Sequence, residues 1–266
     1  MLVENTLFGV RDKVQIAIDR IKQFEPEDGY YVAFSGGKDS CVVLDIVKRA
    51  GVKFDAHYNL TTVDPPELIY FIRENHSEVE KHLPKLTMWQ LIPKKKIPPT
   101  RIMRYCCAVL KEGGGHGRFV ITGVRWAESA KRAKRRMTET CMTDNSKRFL
   151  HPIIDWSDEE VWQYIRENKL PYCSLYDEGQ KRIGCVMCPM GNTKGMEEDA
   201  RRWPKIAAMY KWACNKTYER LVEENPDKER TWKSGDDMYS WWITNKASEK
   251  DNGMVDIFED GRVDYE

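Results

Sequence analysis

Apolar residues at Leu7, Val10, Val14, Ala17, Ile18 and Ile21 recur at helical spacing and predict an amphipathic helix over Asn5 to Phe24. After a break at residues 25–29, the apolar run Tyr30 to Phe34 reads as a buried strand, SGGKDS as a loop, and CVVLDIVKRAG as a helix stopped by Gly51. Lys53 to Tyr58 predicts a second strand, and Pro65 and Pro66 open a helix through ELIYFIRENHSEVEKHL, with proline in its first turn. Further strands are predicted at Leu86 to Ile92, Arg118 to Thr122 and Phe149 to Ile154, the last pushed toward an edge by Pro152. Ser157 caps a helix, and Glu160 completes its capping box. A helical stretch from Met196 to Glu223 and a Trp-rich segment follow, and the acidic end, Asp251 to Glu266, reads as an edge hairpin or a frayed terminus.

Strands alternating with helices predict an α/β fold with a doubly wound, mainly parallel sheet, right-handed crossovers and a helical C-terminal extension. A chain of 266 residues can bury a core without disulfides. No apolar run has the length of a membrane span, and MLVENTLFGVRDK lacks the features of a signal peptide, so the expected compartment is the cytoplasm, with no membrane partner. In a reducing compartment, eight cysteines are metal ligands, reactive groups or core residues rather than a disulfide framework. With 43 basic and 42 acidic residues the net charge is +1, which excludes a whole-protein attraction to nucleic acid and leaves local basic patches.

Between a buried strand and a helix, Ser35, Gly36, Gly37, Lys38, Asp39 and Ser40 supply what a phosphate needs: backbone N–H groups that can approach closely, a helix N-terminus, and a lysine point charge. The spacing is neither that of a Walker A loop nor of GxGxxG. Adjacent cysteines, Cys106 and Cys107 in RYCCAVLK, are matched far downstream by Cys185 and Cys188 in KRIGCVMCPMG. Alone, C-x-x-C fits zinc, a redox pair or an iron–sulfur cluster. Adjacency in the first pair favours the larger cluster over a zinc knuckle. Cys41, Cys141, Cys173 and Cys214 follow no such pattern. GVRWAESAKRAKRR, Gly123 to Arg136, reads either as a solvated basic face or as an arginine clamp for a tetrahedral oxyanion.

In SGGKDS the chain resembles the PP-loop, or N-type, ATP pyrophosphatases, a superfamily that includes sulfonucleotide reductases and enzymes that thiolate tRNA or DNA. The CC pair, Lys111 four residues after it, and the approach LYDEGQKRIGC to the second pair extend the resemblance to the phosphoadenosine phosphosulfate and adenylylsulfate (PAPS/APS) reductase family over Tyr30 to Pro189. In motif logic the chain is closest to DndC-like sulfurtransferase ATP pyrophosphatases. The resemblance implies an adenine nucleotide alpha hydrolase-like fold, with pyrophosphate or sulfate on Ser35 to Ser40, Mg²⁺ on Asp39, and a [4Fe-4S] cluster on Cys106, Cys107, Cys185 and Cys188. The family's G-x-R-x-x-E-S-x-x-R arrangement beside the nucleotide falls on Gly123, Arg125, Glu128, Ser129 and Arg132. Lys38, Asp39, Lys111 and Arg125 carry the implied catalysis.

The character of the chain changes at Ser157, which divides it into a nucleotide-binding region, 1–155, and a helical region, 156–266, expected to pack on it as one unit. The chain departs from the reductases at their C-terminal nucleophile: ECGLH is absent and Cys214 is the last cysteine. The expected reaction is cleavage of ATP to AMP and pyrophosphate, activating an acceptor for sulfur insertion of the DNA or tRNA thiolation type. Its partners would be a sulfur donor such as a cysteine desulfurase and a nucleic-acid acceptor. The alternatives are an APS or PAPS reductase using Cys141, Cys173 or Cys214, and a non-catalytic nucleotide- and metal-binding partner protein.

Overall fold

The computed structural model describes residues 2–6 and 9–244; the acidic segment 251–266 lies outside them. The chain opens with a hairpin, β1 (Val3–Thr6) against β2 (Gly9–Asp12), in the segment read as the start of a helix. The helix itself, α1 (Lys13–Gln23), begins only where Asp12 accepts from the Val14 and Gln15 N–H groups. Its apolar stripe Val14, Ala17, Ile18 and Ile21 is the buried part of the pattern. The missed signal was Gly9 (φ +114°), followed by a capping aspartate.

The sheet then forms in the expected manner. β3 (Tyr30–Ala33) leads into α2 (Lys38–Ala50), β4 (Phe54–Asn59), α3 (Pro66–Asn75) and β5 (Glu80–His82). α4 (Met88–Lys95) stands where a third strand was expected, and the true third parallel strand, β5, lies in the segment read as the end of a helix. Two features separate these elements. His76 ends α3, and the β5 triplet Glu-Lys-His has no apolar content to announce a strand.

After α5 (Tyr105–Leu110) come β6 (Phe119–Ile121), β7 (Thr138–Thr140) and β8 (Arg148–Leu150). The sheet order is β5-β4-β3-β6-β8-β7. All neighbours are parallel except β7, which pairs antiparallel with β8 and takes the edge position expected for the 149–154 segment. Pro152 falls beyond the end of β8 and so does not exclude it from the interior. Strand order reverses between β3 and β6, which makes their carboxyl ends the place where a doubly wound sheet opens a ligand crevice.

The two faces of the sheet differ. Tyr30, Val32 and Ile121 are almost fully buried on one face, where the Tyr30 hydroxyl donates to the Ile21 carbonyl of α1. α2 packs against both α1 and α6 (Asp158–Glu167), the latter capped by Ser157 and Glu160 as expected. On the other face the alternation presents Tyr31, Asp55, His57 and Asn59, a polar set. The loop 111–117 crosses it so closely that a Cβ on Gly114 would lie 2.1 Å from the Tyr31 hydroxyl, and one on Gly115 2.6 Å from Val120.

The chain divides into two compact units: the described residues of Met1–Met88 with Arg104–Val186, and those of Trp89–Met103 with Met187–Glu266. This division differs from the expected boundary at residue 155, because α6 and the following loop belong with the sheet. In the second unit α7 (Thr193–Arg202) and α8 (Pro204–Glu224) replace the single expected helix, broken at Trp203–Pro204. α9 (Gly235–Thr244) meets α8 where a Cβ on Gly235 would lie 2.3 Å from the Asn215 Cα. Tyr210 of α8 packs against Trp242 with the ring planes inclined by 36°, and Trp89 meets it edge-on. Among the described residues no helix is long and apolar enough to cross a membrane.

Candidate active site

The 35–40 loop lies at the reversal point of the sheet. Gly36 adopts φ +71°, and a Cβ there would lie 2.6 Å from Leu68 Cδ1 and 2.8 Å from Ile72 Cδ1, so both backbone and packing require glycine. Ser40 Oγ closes the loop by donating to the Gly37 carbonyl at 2.8 Å and accepting the Ser35 N–H at 3.3 Å. Gly37 is the N-cap of α2 and offers no capping side chain. A Cβ on it would enter the space between Ser35 Oγ and Tyr176 Oη, each at 3.5 Å. This is a helix N-terminus with no capping side chain of its own, the usual seat for an oxyanion.

Four charges stand behind that seat. Lys38 is buried, with Nζ 3.5 Å from Asp39 and 3.3 Å from Asp158. Arg125, 1% exposed, donates from Nε to Asp39 at 2.7 Å, from Nη1 to the Trp156 carbonyl at 3.1 Å, and from Nη2 to Asp158 at 2.5 Å. Desolvation works against its charge, but the two carboxylates raise its pKa further. Burial of the Asp158 carboxyl is likewise overcome, by Arg125 and Lys38, and its pKa is lowered. Gly123 brings the end of β6 against α2, since a Cβ on it would be 3.0 Å from Asp39 backbone atoms.

Arg125 is thus spent on carboxylates rather than left open for a ligand. Arg132 pairs with Glu128, and Ser129 Oγ accepts the Arg132 N–H, both within two 3₁₀ turns, not a continuous basic helix.

Tyr176 completes the loop and was given no role by sequence reasoning. Its hydroxyl accepts the Lys38 N–H at 2.9 Å and acts as the missing cap, while its ring is braced edge-on by Trp162. An incoming phosphate oxygen would compete for that N–H. Tyr176→Phe is expected to bind inorganic pyrophosphate about 2- to 10-fold more tightly, the equivalent of one hydrogen bond of about 0.5–1.5 kcal/mol. Calorimetric titration of both proteins checks this; weaker binding by the variant contradicts it. Asp158 was also missed. Its signal was an acidic residue directly after a helix N-cap, read then only as helix chemistry.

Beside the loop, a cavity of about 310 Å³ is lined by Ser35, Asn59, Asp64, Lys111, Cys141 and Lys147 among others. Lys111, though its residue surface is largely open, has its ammonium near Cys185, Asp64 and Cys107; desolvation lowers its pKa, but these groups raise it overall. Asp64 accepts the Thr61 N–H at 2.7 Å and so shapes the turn at Thr62, a β-branched residue held at φ +66°.

The Cys106 thiol donates to Cys107; against the cost of burial, the Arg104 guanidinium and Lys111 add to this, and the Cys107 thiol falls to about 5. Cys185 lies 3.5 Å from Thr61 Oγ1, and burial raises its thiol although Lys111 opposes this. The first unit therefore brings Cys107, Cys185 and Lys111 together, with Cys106 beside Cys107. Cys188 belongs to the second unit. Among the described residues, Cys106, Cys107 and Cys185 do not form a group of donors within 4.8 Å of one another, as ligands of a single ion would.

The remaining cysteines divide by exposure. Cys41, Cys173 and Cys214 are buried, and burial pushes the Cys214 thiol up to about 12. Cys141 lines the cavity; the penalty of burial is outweighed there by hydrogen bonds from Thr143 and by Lys147, and its thiol pKa is lowered.

The profile of a family described as phosphoadenosine phosphosulfate reductase domain matches residues 29–191. An uncharacterized protein of Methanocaldococcus jannaschii is 32% identical over 193 residues, 66% of this chain and 39% of that protein. The adenosine 5'-phosphosulfate reductase of Allochromatium vinosum is 26% identical over 204 residues, 70% of this chain and 78% of the reductase. The chain thus spans well under half of the first relative and most of the second. The crystal structure of the phosphoadenylyl-sulfate reductase from Candida auris, a phosphate complex, superposes with a TM-score of 0.51 at 18% identity, covering 67% of this chain and 90% of that one, a likeness of fold.

Proposed function

The chain belongs to the phosphoadenosine phosphosulfate reductase domain family, and from that premise we propose that it is an adenine-nucleotide enzyme of sulfur chemistry that cleaves ATP to AMP and pyrophosphate. The observation that carries this reading is the α2 N-terminus, whose N-cap Gly37 brings no capping side chain and whose first helical residue is the buried Lys38. The β- and γ-phosphates rest on Ser35 to Ser40. An acceptor oxygen attacks the α-phosphorus, the bond to the bridging oxygen breaks, and pyrophosphate leaves with its charge met by N–H groups and Lys38; Mg²⁺, when held at Asp39, would supply further charge stabilisation there. A sulfur donor then attacks the adenylated centre, a base carbon in tRNA or the backbone phosphorus in DNA, and the bond to sulfur forms as the bond to AMP breaks. DNA or tRNA is the acceptor class, and a cysteine desulfurase the class of donor.

Cys106, Cys107, Cys185 and Cys188 are the proposed ligands of a [4Fe-4S] cluster, with Lys111 offsetting thiolate charge at the cavity wall. The convergence of Cys107, Cys185 and Lys111 and the lowered Cys107 pKa support this. When bound, the cluster supplies electrostatic stabilisation or electron transfer.

A second reading has its own observation: Cys141 shares a cavity with Ser35. In a reductase, a Cys141 thiolate would attack the sulfur of adenylylsulfate, the sulfur–oxygen bond to AMP would break, and an external dithiol would release sulfite while being oxidised to a disulfide.

Protein prepared without oxygen and incubated with Mg-ATP is expected to release AMP and pyrophosphate, with equal activity in Cys141→Ser. Sulfite release from adenylylsulfate and dithiothreitol, lost in Cys141→Ser, establishes the reductase instead. Colourless, zinc-loaded protein refutes the cluster.

A further inference from the structure

The polar sheet face holds a second group of converging donors, separate from the loop and the cysteines. β4 and β5 run parallel with His57 opposite Glu80 and Asn59 opposite His82, so His57, Glu80 and His82 share one face. His57 Nδ1 stands 2.7 Å from His82 Nε2 and 3.5 Å from Glu80 Oε2. The ligand atoms of all three lie within 4.8 Å of one another.

His57 is fixed from two sides. Its ring stacks on Tyr31 with centroids 4.1 Å apart and planes inclined by 9°. Its Nε2 donates to Asp55, whose other oxygen accepts Arg118 Nη2 at 2.6 Å. With the Nε2 proton committed to Asp55, Nδ1 presents a lone pair toward His82 and Glu80. A carboxylate behind an imidazole in this manner orients metal-binding histidines and raises their basicity.

We propose that His57, Glu80 and His82 bind one divalent transition-metal ion of the zinc class, with Asp55 as the supporting carboxylate. Two imidazoles and a carboxylate suit Zn²⁺ and its neighbours rather than Mg²⁺ or Ca²⁺, which take oxygen sets. Three protein donors leave the fourth tetrahedral position open. Bonds of about 2.0–2.1 Å place tetrahedral donors about 3.3 Å apart, so the imidazole nitrogens must move outward from their 2.7 Å contact. The side chains of His82 and Glu80, 38% and 65% exposed, have room to do so. His57 is also a wall of the cavity, which puts the ion at the cavity margin, where it ties β5 to β4.

The test is a titration of Co²⁺, as spectroscopic probe, into the full chain carrying Cys106→Ser and Cys107→Ser. Visible d–d bands without thiolate charge transfer are expected, saturating at a single equivalent. Adding His82→Ala or Glu80→Gln, both at the sheet edge, should abolish the bands, and Asp55→Asn should weaken affinity about 10- to 100-fold. Zn²⁺ should raise the thermal midpoint of the parent and not of the His82→Ala protein. Absence of d–d bands in folded parent protein, or bands unchanged by both edge substitutions, overturns the proposal and leaves the histidine contact as a shared proton.

Discussion

Lys38→Met lowers nucleotide turnover about 10²- to 10³-fold with the fold retained, the loss that follows removal of one preorganised donor to a developing charge. Lys38 is held before any ligand arrives. Its stem is buried, its ammonium lies between Asp39 and Asp158, and the Tyr176 ring stands 5.9 Å from it. Methionine fills the volume of the stem, and Asp39 and Asp158 keep Arg125 as partner. The measurement pairs steady-state AMP release with a thermal midpoint. Turnover close to wild type, or loss of turnover together with unfolding, contradicts the assignment.

Arg125→Met acts on stability. Breaking a buried ion pair by removing one partner costs about 3–5 kcal/mol. Asp158 has 62% of its side chain exposed and can rehydrate, which puts the loss near the lower figure, about 3 kcal/mol. Asp39 is less fortunate, with 20% exposure. For a chain of this size that is a fall in thermal midpoint of about 6–12 °C. Arg125→Lys recovers little, since one ammonium cannot reach three acceptors from the fixed fork of a guanidinium. A midpoint within about 2 °C of wild type would show that Arg125 serves the ligand rather than the scaffold.

The sequence made the parallel sheet and the loop legible because both are local. A buried apolar run, two glycines and an apolar helix occupy consecutive residues at Tyr30 to Ala50. What it hid is set by distant partners. Arg125 was read as a clamp for an oxyanion; its carboxylate partners lie 86 and 33 residues away in sequence, and nothing in GVRWAES announces them. Tyr176 caps a helix 138 residues earlier, a relation no capping rule on consecutive residues can find. β5 was lost because Glu80, Lys81 and His82 have no apolar pattern; the strand exists through pairing with β4. The helix placed over Asn5 to Phe24 failed in its first part, where Gly9 opens a hairpin strand and Asp12 caps the true start.

Both margins of the sheet end in three-residue strands, Glu80–His82 at one end and Thr138–Thr140 at the other, each with a charged residue. Such edges give a neighbouring molecule little unpaired backbone to template on, and any molecule that did add there would bury charge. The same polar, three-residue composition that hid these strands in the sequence protects the folded chain from edge-to-edge aggregation.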